Sequence, residues 1–272
     1  MTHGTLDIDG LAWAYLEAGS GPLLMLFHGT LSGKEVFVDQ MPRLAKRHRV
    51  VAFDWPGHGG TEFDPEGWTV EQLVDAIPKL IDGLGEQSAV IGGVSQGGAI
   101  TMRAALRHPD RVDALVAMSA GPDRPGPEAL ATMTSLGDVL ADGTDSERRA
   151  ALDRLQRQWF HAPGWADAHP EVAQRELDLM LSHPRAAMRC VTALPSTYVS
   201  IEDQLGEIAC PTLIVWGEDD VRASWGPRMA AMVPDARLRT LAGAGHHVTL
   251  DAPEPTAEAI AEFLDELEER RR

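Results

Sequence analysis

The chain has 272 residues and a formal net charge of −17, with 41 acidic against 24 basic side chains. Hydrophobic residues make up 44% and charged residues 24%, which is typical of one large globular domain or two small ones and excludes a disordered chain. The acidic balance repels a phosphate backbone or an anionic bilayer, so we expect neither nucleic acid nor a membrane surface as a partner.

Short apolar runs predict eight strands that alternate with segments of helical period along most of the chain. The predicted strands cover residues 5–9, 11–17, 23–27, 50–54, 89–92, 112–119, 212–216 and 237–241. The predicted helices cover residues 36–46, 69–84, 96–107, 224–233 and 253–268. The first two strands are joined by a tight turn at Asp9 and Gly10, which favours an antiparallel hairpin. The alternation that follows predicts an α/β fold, with a mostly parallel sheet and helices on both faces.

The alternation breaks once, after the sixth predicted strand. Residues 121–209 contain four predicted helices, at 128–140, 146–160, 170–182 and 184–193, and no predicted strand. Because the strands on either side continue the same sheet pattern, we favour a helical cap over the active site rather than an unrelated domain. The prediction is a core of residues 1–120 and 210–272 with a cap of residues 121–209.

The two cysteines, Cys190 and Cys210, are too few for a disulfide framework and lack metal-ligand spacing. We expect two reduced, buried thiols, with a disulfide between them as the alternative. Residues 1–10 have neither the basic nor the apolar region of an export signal, and no segment reaches 18 apolar residues. The sequence therefore predicts a soluble, cytoplasmic protein without a metal.

The motif GVSQG at residues 93–97 lies directly between a predicted strand and a predicted helix. A sharp strand-to-helix turn crowds the backbone, so it needs small residues around the central Ser95. Such a turn presents the serine hydroxyl at the carboxyl end of the sheet, where open α/β sheets bind ligands. A phosphate-binding loop is the alternative, but the lysine and the following Ser or Thr of that motif are missing. We interpret Ser95 as a nucleophile.

A serine nucleophile needs a histidine base and an acid that orients it. His246 follows a glycine-rich loop beyond the last predicted strand, at the carboxyl edge of the sheet, and His247 is the alternative. Asp220 is the last of three adjacent carboxylates after the seventh strand, with Asp219 and then Asp123 as alternatives. Three other histidines are predicted to be solvated residues at helix ends: His48, His108 and His183.

The oxyanion that forms when a serine attacks a carbonyl needs preorganised donors. The main-chain N–H of Gln96 is fixed at the start of its helix and points to that position. The second donor is predicted to be the N–H of Thr30, in the loop that follows the third strand. The side chain of His28 is interpreted as a structural hydrogen-bonding group rather than a base.

Together these motifs resemble those of α/β-hydrolase fold enzymes of the cofactor-free serine-hydrolase type. The likeness runs from about residue 11 to residue 267, and it rests on the order Ser95, Asp220, His246 and on the runs at residues 28–29, 54–61, 211–220 and 243–253. The run at 54–61 resembles the family's D-x-x-G-x-G-x-S turn, with Thr61 where serine is usual. The resemblance implies an eight-stranded hydrolase sheet with a helical cap inserted after strand 6, and no cofactor.

The resemblance also narrows the chemistry. Epoxide hydrolases and dehalogenases of this fold carry aspartate at the position of Ser95, whereas carbon–carbon bond hydrolases usually carry a longer glycine-rich stretch than HGTLSG at residues 28–33. We predict a monomer or homodimer that cleaves a small to medium, fairly apolar carboxylic ester or lactone through an acyl-enzyme. A carbon–carbon bond hydrolase, a lyase on the same triad and a receptor-like ligand-binding protein remain the alternatives.

Aromatic and methionine side chains of the cap are predicted to line an apolar substrate pocket. The predicted pocket residues are His28, Trp159, Phe160, Trp165, Met180 and Met188. For each of the cap residues, packing of the cap onto the sheet is an equally good interpretation.

Overall fold

The computed structural model describes residues 1–270, and its centre is one sheet of eight strands. The strands are β1 (Thr2–Ile8), β2 (Leu11–Ala18), β3 (Leu23–Phe27), β4 (Arg49–Phe53), β5 (Ala89–Val94), β6 (Val112–Met118), β7 (Thr212–Gly217) and β8 (Ala236–Leu241). Their spatial order is β1-β2-β4-β3-β5-β6-β7-β8. Strand β2 pairs antiparallel with both neighbours, and every pair from β4 to β8 is parallel. The predicted mostly parallel, eight-stranded α/β sheet is confirmed.

Helices cover both faces of this sheet. They are α1 (Met41–Leu44), α2 (Val70–Gly83), α3 (Gln96–Arg107), α4 (Pro127–Asp142), α5 (Asp145–Leu155), α6 (Trp165–Ala168), α7 (Pro170–Ser182), α8 (Met188–Ala193), α9 (Trp225–Met232), α10 (Val248–Asp251) and α11 (Pro253–Arg270). One buried cluster joins the sheet to α2, α3 and α9, and a second joins its other face to α1, α10 and α11. Strands buried on both faces must be continuously apolar, which is why LLMLF and TLIVW were recognisable in the sequence.

Local sequence signals explain where individual helices begin. Thr69 and Gln72 form a reciprocal capping box at the start of α2, which satisfies two main-chain N–H groups that the helix leaves free. The helix predicted over residues 36–46 is wrong, because the structure has a 3₁₀ turn at Lys34–Phe37 and then the short α1. Pro42 lies in the first turn of α1 and has no N–H to continue a helix from the preceding turn.

Residues 121–209, called the helical insert below, connect β6 to β7 and contain α4 to α8. The insert has its own buried apolar cluster, and that cluster also includes Leu31 from the loop after β3. The helical insert therefore packs against the carboxyl edge of the sheet. Cys190 and Cys210 are free thiols, both half-buried. None of the helices formed by residues 1–270 is long and apolar enough to cross a membrane.

Candidate active site

Ser95 lies at the junction of β5 and α3 in a strained backbone conformation, with φ 54° and ψ −116°. The main chain is so crowded here that a Cβ on Gly93 would lie 2.4 Å from the carbonyl carbon of Gly97. A Cβ on Gly97 would lie 2.1 Å from the carbonyl oxygen of Phe27. The glycines are thus required by the turn, and the half-buried Ser95 is held at the carboxyl edge of the sheet.

Asp220 and His246 meet beyond the ends of β7 and β8. His246 Nδ1 lies 2.8 Å from Asp220 Oδ2, which also accepts a hydrogen bond from Trp216 Nε1 at 2.9 Å. The second oxygen, Oδ1, accepts one from the main-chain N–H of Arg222 at 2.9 Å. Burial alone would raise the pKa of Asp220, but the hydrogen bonds from His246, Arg222 and Trp216 bring it below its ordinary value. The carboxylate therefore stays charged and fixes the imidazole.

The other acids and the neighbouring histidine are placed differently. Asp219 is exposed, and Asp123 pairs with the guanidinium of Arg222 at 2.5 Å. The ring of His247 is buried and bonds to Glu176 at 2.6 Å. Among residues 1–270, no hydrogen bond joins Ser95 Oγ to His246. His246 uses Nδ1 for its bond to Asp220, and its Nε2 has no hydrogen-bond partner within the same residues.

The loop at residues 28–33 lies directly against Ser95. A Cβ on Gly29 would lie 3.2 Å from Ser95 Cβ, so glycine lets the loop approach the serine closely. Thr30 Oγ1 donates to Gln96 Oε1 at 2.8 Å, which links the two residues predicted to supply the oxyanion hole.

Two buried histidines fix the same loop. Leu31 has φ 63°, a conformation that is unusual for a residue other than glycine. Its N–H donates to His58 Nε2 at 3.1 Å, and its carbonyl oxygen accepts from His183 Nε2 at 3.1 Å. His183 belongs to the helical insert and is 2% exposed, so its predicted solvated position is wrong.

His28 is enclosed beneath the loop, which does not fit the predicted pocket role. Its side chain is fully buried, with Nδ1 donating to the carbonyl oxygen of Gly29 at 2.7 Å and Nε2 accepting from the N–H of Trp55 at 3.0 Å. Burial lowers the pKa of His28 to about 4, with a nearby Asp54 opposing this effect. His28 is therefore a neutral group that supports the main chain.

The predicted pocket residues of the insert separate into two groups. Phe160, Met180 and Met188 are buried in the same apolar cluster as Leu31. Trp165 belongs to another cluster and stacks on His161 with ring centroids 4.0 Å apart. Trp159 is 55% exposed and does not line an enclosed pocket.

A buried polar group beside the site had no recognisable signal in the sequence. His161, Glu176 and His247 bring potential metal ligands within 4.8 Å of one another, in the part of the chain that the structure describes. The contacts of Glu176 with the two rings are 2.7 and 2.6 Å. Two ligands of a tetrahedral zinc ion, each about 2.0–2.2 Å from the metal, lie roughly 3.3–3.6 Å apart. Both contacts of Glu176 are shorter than that separation and are typical of hydrogen bonds.

Comparisons with known proteins show the family of this chain. A model of the alpha/beta hydrolase family matches residues 23–259, which confirms the resemblance seen in the motifs. The chain is 28% identical over 267 residues to a 2-(acetamidomethylene)succinate hydrolase of Mesorhizobium japonicum, over 96% of this chain and 94% of that protein. It is 29% identical over 267 residues to a 2-hydroxy-6-oxononadienedioate/2-hydroxy-6-oxononatrienedioate hydrolase of Paraburkholderia xenovorans, over 92% and 89%. A malate-bound thermophilic esterase of Thermogutta terrifontis has the same fold, with a TM-score of 0.88 at 23% identity over 98% and 99%.

Proposed function

Because this chain belongs to the alpha/beta hydrolase family, we propose that it is a serine hydrolase that cleaves a carboxylic ester or lactone of a small to medium, fairly apolar molecule. The proposal rests on the 2.8 Å pairing of His246 Nδ1 with the buried carboxylate of Asp220. That pair lies on the sheet edge that also presents the strained Ser95. Serine acyl transfer requires a base that can take the proton of the serine and an acid that orients this base.

In the proposed mechanism Ser95 Oγ attacks the substrate carbonyl while His246 Nε2 takes its proton. The carbonyl oxygen becomes an oxyanion that accepts hydrogen bonds from the N–H groups of Thr30 and Gln96. His246 then gives the proton to the leaving alcohol oxygen as the C–O bond breaks, which leaves an acyl-enzyme. Water, deprotonated by the same ring, releases the acid and restores Ser95. Asp220 holds the imidazole in the required tautomer and stabilises its charged form.

The apolar side chains near the candidate active site support an apolar substrate. Leu31 adjoins the oxyanion loop and packs with Phe160, Met180 and Met188 of the insert. Phe160 also faces His246, with ring centroids 6.5 Å apart. An apolar acyl or alcohol group is therefore the substrate part that we expect to contact the insert.

Carbon–carbon bond hydrolysis is the second candidate, favoured by the similarity to the Paraburkholderia xenovorans hydrolase. The short HGTLSG loop at residues 28–33 argues against this activity. A vinylogous 1,5-diketone cleaved faster than any ester would favour the second candidate over the first.

The test is the intact mass of the protein after incubation with a fluorophosphonate, followed by turnover of p-nitrophenyl esters of increasing chain length. We expect one adduct on the wild type and on Ser146→Ala, a matched control at an exposed serine. Ser95→Ala is expected to give no adduct and at least about 10³-fold slower turnover. No adduct on folded wild type, or unchanged turnover in Ser95→Ala, would contradict the proposal.

A further inference from the structure

Four ionisable side chains form a continuous hydrogen-bonded chain between the helical insert and the loop that carries His246. Asp251 Oδ1 lies 2.5 Å from His161 Nδ1, and His161 Nε2 lies 2.7 Å from Glu176 Oε2. Glu176 Oε1 lies 2.6 Å from His247 Nδ1. All four side chains are at most 2% exposed. We call this chain of residues the buried clasp.

The donors and acceptors of the buried clasp determine its charges. Each ring nitrogen of His161 faces a carboxylate, so both must carry a proton and the ring is an imidazolium. Burial opposes this charge, but the hydrogen bonds to Asp251 and Glu176 raise the pKa of His161 to about 9. His247 donates from Nδ1 and is neutral, because burial lowers its pKa despite the facing Glu176. His161 therefore carries the positive charge between the two carboxylates.

The remaining polar contacts of the clasp come from neutral groups. Gln156 Nε2 donates to Glu176 Oε2 at 2.5 Å. The N–H groups of Ala162 and Gly245 donate to Asp251 Oδ2 at 2.9 and 2.7 Å. Both carboxylates are thus fully hydrogen-bonded, as buried charges must be to persist.

The clasp holds the residues on both sides of His246. Gly245 is bonded to Asp251, and the N–H of His247 donates to the carbonyl oxygen of Phe160 at 2.7 Å. The insert passes so close that a Cβ on Gly245 would lie 2.4 Å from Ala162 N. The Phe160 ring stacks on His247 with centroids 4.0 Å apart. Contacts with the helical insert and with Asp251 therefore fix the position of the His246 main chain.

We propose that Glu176 is a positioning residue: from the helical insert it bonds His161 and His247 and so holds His246 in the place where its ring meets Asp220. The proposal rests on the proposed function for its kinetic consequence, but the bonding of His161 can be measured without catalysis. A neutral amide at this position accepts from one ring only and leaves the other N–H buried without an acceptor.

The first measurement is a side-chain ¹⁵N NMR titration of the wild type. We expect His161 to remain an imidazolium at neutral pH and to lose its proton near pH 9. A neutral His161 at pH 7 would overturn the proposal even if the protein is an active esterase. One equivalent of zinc in the purified protein, held by these side chains, would overturn it in favour of a metal centre.

The second measurement compares Glu176→Gln with Glu171→Gln, a matched change at an exposed glutamate of the same helix. We expect kcat for a p-nitrophenyl ester to fall about tenfold or more in Glu176→Gln, with KM changed less than about threefold, since a misplaced base affects the transition state most. His161 should then titrate nearer to neutral pH. Unchanged kcat in folded Glu176→Gln would overturn the proposal, whereas an inactive wild type would contradict only the proposed function.

Discussion

At the scale of single residues, the choice among adjacent carboxylates is made by hydrogen-bond donors. Glu218 and Asp219 are exposed, whereas Asp220 is 6% exposed and receives bonds from three donors. Two of these donors, Trp216 Nε1 and Arg222 N, would face the carboxylate even without the histidine. The loop is therefore preorganised to hold an anion at this one position.

We expect Asp220→Asn to lower kcat by about 10⁴-fold, because an amide favours the tautomer of His246 that cannot accept a proton from Ser95. Asp219→Asn removes a neighbouring charge from an exposed position and should change kcat less than about twofold. Steady-state hydrolysis of a p-nitrophenyl ester by the two variants is the measurement. Equal losses in both variants would contradict the assignment of the acid.

The residues that sequence analysis identified are those with a local signal. Ser95 lies in a glycine-rich strand-to-helix turn, and Asp220 and His246 directly follow strands. The sequence left Asp219 and Asp220 open, because three adjacent carboxylates differ only in which one turns inward. Glu176 was not predicted as a site residue, because its partner His247 is 71 residues away and the helix around Glu176 shows an ordinary amphipathic pattern.

At the scale of elements, the loop at residues 28–33 is held between the sheet and the helical insert. His58 accepts from the N–H of Leu31, and His183 donates to its carbonyl oxygen, so the strained residue has partners from both sides. His183 Nδ1 also accepts from the N–H of Gly59 at 3.2 Å. The adjacent N–H of Thr30 thus depends on a contact from the insert.

We expect His183→Ala to lower kcat about tenfold with a smaller change in KM, because a displaced oxyanion donor weakens binding of the transition state more than that of the substrate. His183→Gln can donate and accept hydrogen bonds and should recover part of the loss. The kcat and KM of both variants are to be measured with one ester. A rise in KM alone would indicate that His183 shapes the pocket instead.

The elements themselves differed in how well the sequence predicted them. The predicted ranges 23–27 and 96–107 coincide with β3 and α3, because one is continuously apolar and the other has a clear helical period. The range 36–46 also had apolar residues at helical spacing, but Pro42 divides it. A periodic pattern shows which side chains face the core, and it does not show whether the hydrogen-bond ladder is continuous.

At the scale of the whole molecule, buried histidines at two places in the fold have their pKa values shifted in opposite directions. His28, His58 and His183 are in ring contact behind the oxyanion loop, and burial lowers the pKa of each. His161 lies in the buried clasp with its pKa raised. In the folded protein, the histidines behind the oxyanion loop are therefore harder to protonate than free histidine, and His161 is harder to deprotonate.

The free energy of unfolding should consequently pass through a maximum near pH 6.5. Below that pH, His28 becomes protonated in the unfolded chain, whereas in the folded protein it stays neutral until about pH 4. The free energy of unfolding therefore falls as the pH falls. Above pH 6.5, His161 is deprotonated in the unfolded chain, whereas in the folded protein it stays protonated until about pH 9. The free energy of unfolding therefore falls as the pH rises. Urea unfolding at about pH 5, 7 and 9 measures both limbs. His161→Gln should flatten the alkaline limb, and equal losses between pH 7 and 9 in both proteins would contradict the charged state of His161.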